Sequence, residues 1–135
     1  MPYKQSAFQK LVNRSYWAIL ATVYPSGMPQ ALPVWFEYDG RNFLVVTTAD
    51  AIKANNIKRT PQVALYITNT PRFKESLTIP GRAELVFDNS MAHMIGHKLT
   101  NRYLDHQKSE EYNRNFADTE FVLVRIIPKQ YIWTN

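Results

Sequence analysis

Short runs of β-branched and aromatic residues, each closed by a turn signal, constrain the fold of this chain more than any other feature. Pro25-Ser26-Gly27 ends the first run, and Asp39-Gly40, a strong hairpin signal, separates the second run from the third. The pattern predicts six strands, at residues 16–24, 30–38, 42–48, 62–68, 76–87 and 119–133. We expect the first three to form an antiparallel meander.

Helical patterns interrupt the strands in a few places. Asp50 is the N-cap candidate of one segment, and Pro61 ends it, because the residue before a proline avoids the helical region. Another segment has an apolar residue at every fourth position from Met91 to Tyr103, after a cap at Asn89 or Ser90. We predict helices at residues 5–13, 50–60 and 91–103, and an exposed helix at 105–114. The whole pattern indicates a mainly β fold, a six-stranded antiparallel barrel with peripheral helices.

The composition is that of one domain spanning residues 1–135. Hydrophobic residues make up 45% of the chain and charged residues 20%, so it can bury a core. No apolar run approaches the ~20 residues of a membrane helix, and no charged lead with an apolar stretch opens the chain. The absence of cysteine excludes disulfides, thiolate zinc sites and cysteine nucleophiles. We expect a cytoplasmic protein with no membrane partner.

The net charge of +5 is concentrated between residues 41 and 85. A locally basic surface favours an anionic partner, either a nucleic acid or a small phosphorylated ligand, although lysines that only aid solubility give the same balance. Nucleic acid is the weaker alternative. The aromatic residues lie in apolar strands and do not alternate with basic ones to form a stacking platform.

The segment from Thr47 to Lys53 is the strongest candidate binding site. A strand ends in Thr47 and Thr48 and passes directly into a helix, whose free amides attract anions. Lys53 lies in the first turn, where a cation opposes the helix dipole, and a bound phosphate would explain it. In the alternative, Asp50 caps the helix and Lys53 points to solvent.

Among the prolines that fall inside predicted strands, Pro33 and Pro80 are the most informative. Pro33 removes a donor from the strand ladder, and its neighbours Val34 and Trp35 then combine exposed backbone groups with an aromatic wall. Such a surface suits a flat heteroaromatic ring, although an edge strand with ordinary core aromatics would look the same. The Pro80-Gly81 pair indicates a bulge or an edge position.

Two further features are less specific. His93 and His97 are spaced to share a metal on one helix, but no acidic residue accompanies them, and we predict no metal site. Trp133 either packs against the barrel end or reaches a ligand, and packing is favoured.

The order of several motifs carries a family resemblance. The motifs are Ile-Leu-Ala-Thr-Val at 19–23, Pro-Ser-Gly at 25–27, Pro-Val-Trp-Phe at 33–36, Asp-Gly at 39–40, Val-Val-Thr-Thr at 45–48, Lys53 with Asn55 or Asn56, Arg-Thr-Pro-Gln-Val-Ala-Leu at 59–65, and Gly-Arg-Ala-Glu-Leu-Val at 81–86. Together they resemble the pyridoxamine 5′-phosphate oxidase-like family of FMN-binding split β-barrels, in particular its flavin- or deazaflavin-dependent oxidoreductase branch.

The resemblance implies a homodimer with flavin sites at the subunit interface. The apolar stretches 33–38 and 119–133, which we expect to be exposed on a small barrel, also favour a dimer. By the same resemblance, Thr47, Thr48 and Lys53 would hold the cofactor phosphate, with Arg82 as an alternative anchor. Pro33, Val34 and Trp35 would line the isoalloxazine ring, and Asn56 and Trp133 complete the candidate set.

The resemblance predicts a flavin-dependent oxidoreductase that transfers a hydride between FMN, or the deazaflavin coenzyme F420, and a small-molecule substrate. Oxidation of vitamin B6 is not expected, because the C-terminal residues 128–133 lack the arginine and histidine motifs of true pyridoxamine phosphate oxidases. The alternative function is a non-catalytic split barrel that binds flavin, haem or another tetrapyrrole.

Overall fold

The computed structural model describes residues 2–68 and 75–134. Within these ranges the chain forms eight β-strands and four α-helices. In chain order they are α1 (Pro2–Asn13), β1 (Ala18–Val23), β2 (Pro29–Val34), β3 (Glu37–Tyr38), β4 (Phe43–Thr48), α2 (Ile52–Arg59), β5 (Gln62–Thr68), β6 (Ser76–Val86), α3 (Asn89–Tyr103), α4 (His106–Asn115), β7 (Phe121–Pro128) and β8 (Ile132–Thr134).

All the strand pairings are antiparallel, and seven strands follow the order β2-β1-β5-β6-β7-β4-β3. The short β8 pairs with the beginning of β6. The two edge strands, β2 and β3, are joined by only Trp35 and Phe36, so this connection brings the edges of the sheet together. The prediction of a mainly β split barrel with peripheral helices is confirmed.

The predicted number of six strands is wrong, because two of the predicted strands are each divided. In the stretch 30–38, the Phe36 N–H donates to the Tyr103 hydroxyl of α3 (3.3 Å), so its hydrogen bond is not made to a neighbouring strand. In the stretch 119–133, β7 ends at Pro128, opposite Gly81 of β6. The chain then bends at Lys129 and pairs again with the beginning of β6 as β8. Both divisions involve partners that are distant in sequence.

The predicted meander is present, but the stretch 30–38 forms two separate strands. The first pairs with the preceding strand of the meander and the second with the following strand. β2 pairs with β1, and β3 pairs with β4 after the Asp39-Gly40 turn. Pro33 lies in an edge strand, as predicted. The bulge proposed at Pro80 is absent on the β5 side, where the register runs unbroken from Gln62 opposite Arg82 to Thr68 opposite Ser76.

The described residues form two hydrophobic clusters, one inside the barrel and one between its outer face and α3. Alternation along β4 divides its side chains between them, since Phe43 and Val45 face the barrel interior while Leu44 and Val46 face α3. Trp35 and Phe121 also belong to the outer cluster, and α3 packs against this cluster.

Helix capping differs from the prediction at two helices. No side chain caps α2, which begins after Ala51, so Asp50 is not its N-cap. Asp88 caps α3 by accepting from the Met91 N–H (3.0 Å), while Asn89 instead accepts from the Phe121 N–H at the start of β7. The predicted exposed helix at 105–114 is α4, capped by Asp105.

The apolar stretches expected to be exposed are mostly buried within the chain. Phe36 is fully buried, as are Val122, Val124 and Ile126 of β7. Exposed apolar side chains are found elsewhere, including Trp17, Leu32 and Ile52. None of the helices in the described ranges is long and apolar enough to span a membrane.

Candidate functional site

A cavity of about 300 Å³ lies between the outer face of the barrel and the helices α3 and α4. Its barrel wall is formed by Trp17, Pro33, Val34, Trp35, Val46 and Phe121. Its helical wall is formed by Lys53 of α2, by His93, Gly96, His97, Leu99 and Thr100 of α3, by Tyr112 and Asn113 of α4, and by Phe116 just after α4. Residues of six elements, β2, β4, β7, α2, α3 and α4, therefore meet at the cavity, together with Trp35 of the connection that closes the barrel.

Aromatic rings form most of the apolar surface of the cavity. Trp35 stacks on Tyr103 with the ring centroids 5.4 Å apart and the planes 9° from parallel, and its other neighbour is Tyr112 at 5.7 Å. Tyr112 in turn packs against Phe116 (4.5 Å). The Tyr103 hydroxyl donates to the Tyr16 carbonyl (2.7 Å), which fixes the ring that supports Trp35. A rigid wall of this kind suits a flat ligand.

Lys53 supplies the charge of the cavity. Among the residues that the structure describes, no Asp or Glu lines the cavity, and Lys53 is the only lysine or arginine that does. The side chain is half-buried, its burial lowers the pKa of the ammonium group, and it makes no ion pair with any residue in the described ranges. Because an uncompensated ammonium favours a negatively charged neighbour, this end of the cavity can receive an anion.

The two histidines of α3 have different environments. A ring nitrogen of His93 lies 2.8 Å from the Thr119 carbonyl, and the ring contacts Phe121. The His97 ring meets the His93 ring edge-on at 6.4 Å and makes no hydrogen bond with the residues that the structure describes. Within those residues no three His, Asp or Glu side chains lie together in a way that would hold a metal.

A buried polar network fastens α4 over the cavity. The Ser109 hydroxyl, 1% exposed, lies 2.9 Å from Thr100 Oγ1 and 2.8 Å from Asn101 Oδ1. Thr100 Oγ1 is 3.2 Å from Asn113 Oδ1, one turn further along α4. Since Ser109 is the only fully buried residue of α4, these hydrogen bonds hold the helix more than apolar packing does.

The structure brings four of the predicted site residues into this cavity: Pro33, Val34, Trp35 and Lys53. Thr48 is on the same face of β4 as Val46, which lines the cavity, whereas Thr47 is nearly buried on the opposite face. Neither threonine hydroxyl makes a hydrogen bond within the described ranges, so the Thr48 hydroxyl remains free to bind a ligand.

The other three predicted residues lie outside the cavity lining. Asn56 is 2% exposed, and its amide is used within the protein: it donates to Thr22 (3.0 Å) and accepts from Arg59 (2.9 Å). Arg82 is exposed on β6. Trp133 is half-buried on β8 and packs against the barrel interior, which is the role that its sequence position favoured.

Sequence reasoning missed the contribution of α4 and the chain just beyond it, which it treated only as an exposed charged helix. Tyr112 and Phe116 are four residues apart and therefore lie on one side of this segment, as their ring contact shows. An aromatic pair at this spacing within a charged segment was the available signal. It could not show which surface the pair covers, because that depends on how α4 folds back onto α3.

Comparison with known proteins agrees with this architecture. A family model described as pyridoxamine 5′-phosphate oxidase matches residues 5–131. The fold and its lateral cavity are those of a split β-barrel protein, and the chain belongs to the pyridoxamine 5′-phosphate oxidase family. The comparison with curated proteins gave no match.

Several solved structures are similar over nearly the whole chain. An F420 reductase is 26% identical with a TM-score of 0.74, covering 92% of this chain and 94% of its own. Conserved hypothetical protein Rv2991 from Mycobacterium tuberculosis is 23% identical with a TM-score of 0.79, covering 97% and 84%. General Stress Protein 26 from Bacillus anthracis is 15% identical with a TM-score of 0.73, covering 97% and 93%. The last two show likeness of fold alone.

Proposed function

We propose that this protein is a flavin-dependent oxidoreductase that transfers a hydride between a bound FMN or deazaflavin coenzyme F420 and a small substrate. The observation that carries the proposal is the cavity itself. It combines a rigid aromatic wall with one half-buried, unpaired lysine and no carboxylate, in a chain of this family. A planar ring attached to a phosphate matches both halves of that description.

The residues present fit such a cofactor. Lys53 and the Thr48 hydroxyl would hold the phosphate, assisted by the amides at the uncapped start of α2. Pro33, Val34 and Trp35 would line the ring. Pro33 has no N–H and lies in an edge strand, which leaves backbone groups of this strand unpaired for the polar rim of the ring.

The cofactor would supply the hydride chemistry, and the protein would supply position and electrostatics. The stacked pair of Trp35 and Tyr103 keeps one wall flat, and α4 with Phe116 covers part of the opposite side. The ammonium of Lys53 neutralises the phosphate. None of these roles requires an acid–base pair, in agreement with the absence of carboxylates from the cavity lining.

The choice between the two cofactors remains part of the proposal. We place FMN first because most organisms can supply it, and F420 second. The F420 reductase that resembles this chain at 26% identity favours the deazaflavin. Both cofactors carry a flat tricyclic ring and a phosphate, so the same residues of the cavity would bind either one.

We further propose that the protein acts as a homodimer whose second subunit covers the cavity. Trp17 and Pro33 line the cavity and are exposed, and Ile52, which adjoins Lys53, is 59% exposed. Exposed apolar side chains around the mouth of a cavity favour burial against a second copy. The site would then be completed across the two-fold axis.

A non-catalytic binder of haem or another tetrapyrrole is the second candidate function. The observation in its favour is His97, whose ring lines the cavity without a hydrogen-bond partner in the described ranges and is able to bind an iron. The absence of any carboxylate in the lining does not separate the two candidates.

The decisive experiment is a spectroscopic titration of the full-length protein with FMN, F420 and haemin, followed by anaerobic addition of a nicotinamide hydride donor. We expect saturable binding of FMN or F420 and bleaching of the bound cofactor upon reduction. Binding of haemin in preference to both flavins would support the second candidate. Failure to bind either flavin at micromolar concentration would refute the proposed oxidoreductase function.

A further inference from the structure

A second cleft opens between α3 and α4 beside the cavity. Its lining residues are His93, His97, Glu110, Asn113, Arg114 and Ala117. Three of these, His93, His97 and Asn113, also line the cavity, so the cleft and the cavity adjoin across their side chains. Glu110, Arg114 and Ala117 are exposed. The cleft is therefore a path from solvent to the helical wall of the cavity.

Unused hydrogen-bond donors converge on this path. Asn113 accepts from Thr100 through its oxygen, which orients its NH₂ group without engaging it within the described ranges. The His97 ring makes no hydrogen bond, and Arg114 makes no ion pair, with any residue that the structure describes. The exposed carboxylate of Glu110, which also lines the cleft, lies 3.1 Å from the His106 ring, so the free donors outnumber the one acid. The balance of free groups favours an anionic or acceptor-rich ligand.

Flat apolar surface lies directly beside these donors. Tyr112 and Phe116, on either side of Asn113 and Arg114 in sequence, present packed rings to the cavity. Lys53 is on a different element, α2, and under the proposed function it is occupied by the cofactor phosphate. An anionic group that enters through the cleft therefore needs its own partners, and the α3–α4 side supplies them.

We propose that the α3–α4 side of the cavity is the substrate site, and that the substrate is a small planar molecule bearing a carboxylate or similar anionic oxygen group held by His97, Asn113 and Arg114. This inference rests on the proposed function, since it assigns the opposite side, at Lys53 and Pro33, to the cofactor. It defines a substrate class and a direction of entry. The planar part lies toward Tyr112 and Phe116, and the anionic group toward the cleft.

Cinnamate and cinnamamide provide a matched pair of probes, because they have the same shape and differ in charge. Calorimetric titration of the full-length protein, with and without FMN or F420, should show that cinnamate binds about fivefold more tightly than cinnamamide or better, as expected for a charge-assisted contact near solvent. The variants His97→Phe and Arg114→Gln should each remove most of this preference. Lys98→Gln and Lys108→Gln, which change exposed neighbours on the same helices outside both linings, should retain it.

Each outcome decides the inference separately from the proposed function. Equal binding of the two probes, no binding of either, or a preference that survives in both His97→Phe and Arg114→Gln would overturn the substrate site. If flavin binds while the preference is absent, the oxidoreductase proposal stands and this inference fails. If the preference is present while no flavin binds, the anion site stands and the proposed cofactor fails.

Discussion

At the scale of single residues, Lys53 carries the largest share of the functional argument. Its side chain is half-buried at the end of an aromatic cavity. No carboxylate in the described cavity lining neutralises the ammonium group, and the uncapped start of α2 does not neutralise it either. The neighbouring Lys58, on the same helix, is exposed and outside the cavity lining. The two lysines therefore form a matched pair for testing whether position, and not overall basic charge, determines ligand binding.

We expect Lys53→Glu to abolish FMN binding while riboflavin, which has no phosphate, is much less affected. A charge-assisted contact with phosphate contributes about 1.5–3 kcal/mol, and the reversed charge adds repulsion. Fluorescence titration with both ligands measures the difference, and Lys58→Glu serves as the control. Equal weakening of FMN and riboflavin would place the phosphate elsewhere, with exposed Arg82 as the next anchor to test.

The pH dependence of binding follows from the same lysine. Burial lowers the pKa of Lys53 from 10.5, so in the free protein its charge is lost at a lower pH than for an ordinary lysine. The advantage of FMN over riboflavin should be largest below this pKa and should decline as the pH rises through it. The stability of the ligand-free protein changes in the opposite direction. Between the lowered pKa of folded Lys53 and the pKa of 10.5 in the unfolded chain, the unfolded chain binds more protons, so the free energy of unfolding increases as the pH rises. Titrations with both flavins from neutral to alkaline pH test this, and Lys53→Gln should remove the pH dependence of the FMN advantage.

Asn56 illustrates how a motif residue can be structural. Its amide links α2 to the β1–β2 hairpin through Thr22, and it also accepts from Arg59. We expect Asn56→Ala to lower the free energy of unfolding by about 1–3 kcal/mol, because buried polar partners lose their hydrogen bonds. The affinity of the remaining folded protein for FMN should be unchanged. Urea unfolding and FMN titration measure the two effects, with exposed Asn55→Ala as the control. A loss of FMN affinity without a loss of stability would restore Asn56 to the cofactor site.

At the scale of elements, two glycines show that the contact between β6 and β7 is closely packed while α3 leaves open space at the cavity. A Cβ on Gly81 of β6 would lie 2.6 Å from the backbone oxygen of Ile127, so the adjacent strands leave no room there. A Cβ on Gly96 of α3 would meet only Val46 Cγ1, at 4.0 Å, and Gly96 lines the cavity. The absence of a side chain at Gly96 therefore preserves cavity volume at some cost to helix stability.

We expect Gly96→Ala to stabilise the protein by about 0.5–1 kcal/mol, because alanine is the better helix former. Gly96→Leu should remain folded but should bind flavin more weakly, because its side chain occupies the cavity. Gly81→Ala should destabilise the protein by about 1–3 kcal/mol through overpacking. Thermal unfolding and flavin titration of the three variants test this. Destabilisation by Gly96→Ala comparable to that of Gly81→Ala would show that α3 leaves no space at the cavity.

At the scale of the whole molecule, the cavity lies at the protein surface and not in the barrel interior. It lies on the outer face of the barrel, covered by two helices on one side and flanked on the other by exposed apolar side chains. A single chain therefore leaves the side at β2 and α2 incompletely covered. The proposed second subunit would remove Trp17, Pro33 and Ile52 from solvent and close the site.

Light scattering should give twice the mass of the chain at micromolar concentration. Charges introduced at the mouth of the cavity, by Trp17→Glu or Ile52→Glu, should shift the protein toward monomer and weaken flavin binding in parallel. Phe87→Glu is the control, because Phe87 is similarly exposed but neither lines the cavity nor adjoins a lining residue in sequence. A monomeric wild-type protein that still binds flavin would contradict the shared site.

The local sequence determined where the helices and most of the strand-forming stretches lie. Proline and glycine positions and the alternation of apolar residues act over a few residues, so the Asp39-Gly40 hairpin, the edge position of Pro33 and the helix at 91–103 are readable without tertiary information. The motif order also identified the family. The structure brings Pro33, Val34, Trp35 and Lys53 to one cavity, and their role in holding a cofactor stays a prediction.

Only the tertiary structure decided how the barrel closes and what covers the cavity. The break at Phe36 depends on a hydroxyl 67 residues away in sequence, and the division after Pro128 arises because the following strand, β8, pairs with the beginning of β6. The position of Tyr112, Asn113 and Phe116 over the cavity depends on the packing of α4 against α3, which the hydrogen bond from Ser109 to Thr100 stabilises. These contacts join segments that lie far apart along the chain, and a local pattern carries no information about which distant partner a residue will meet.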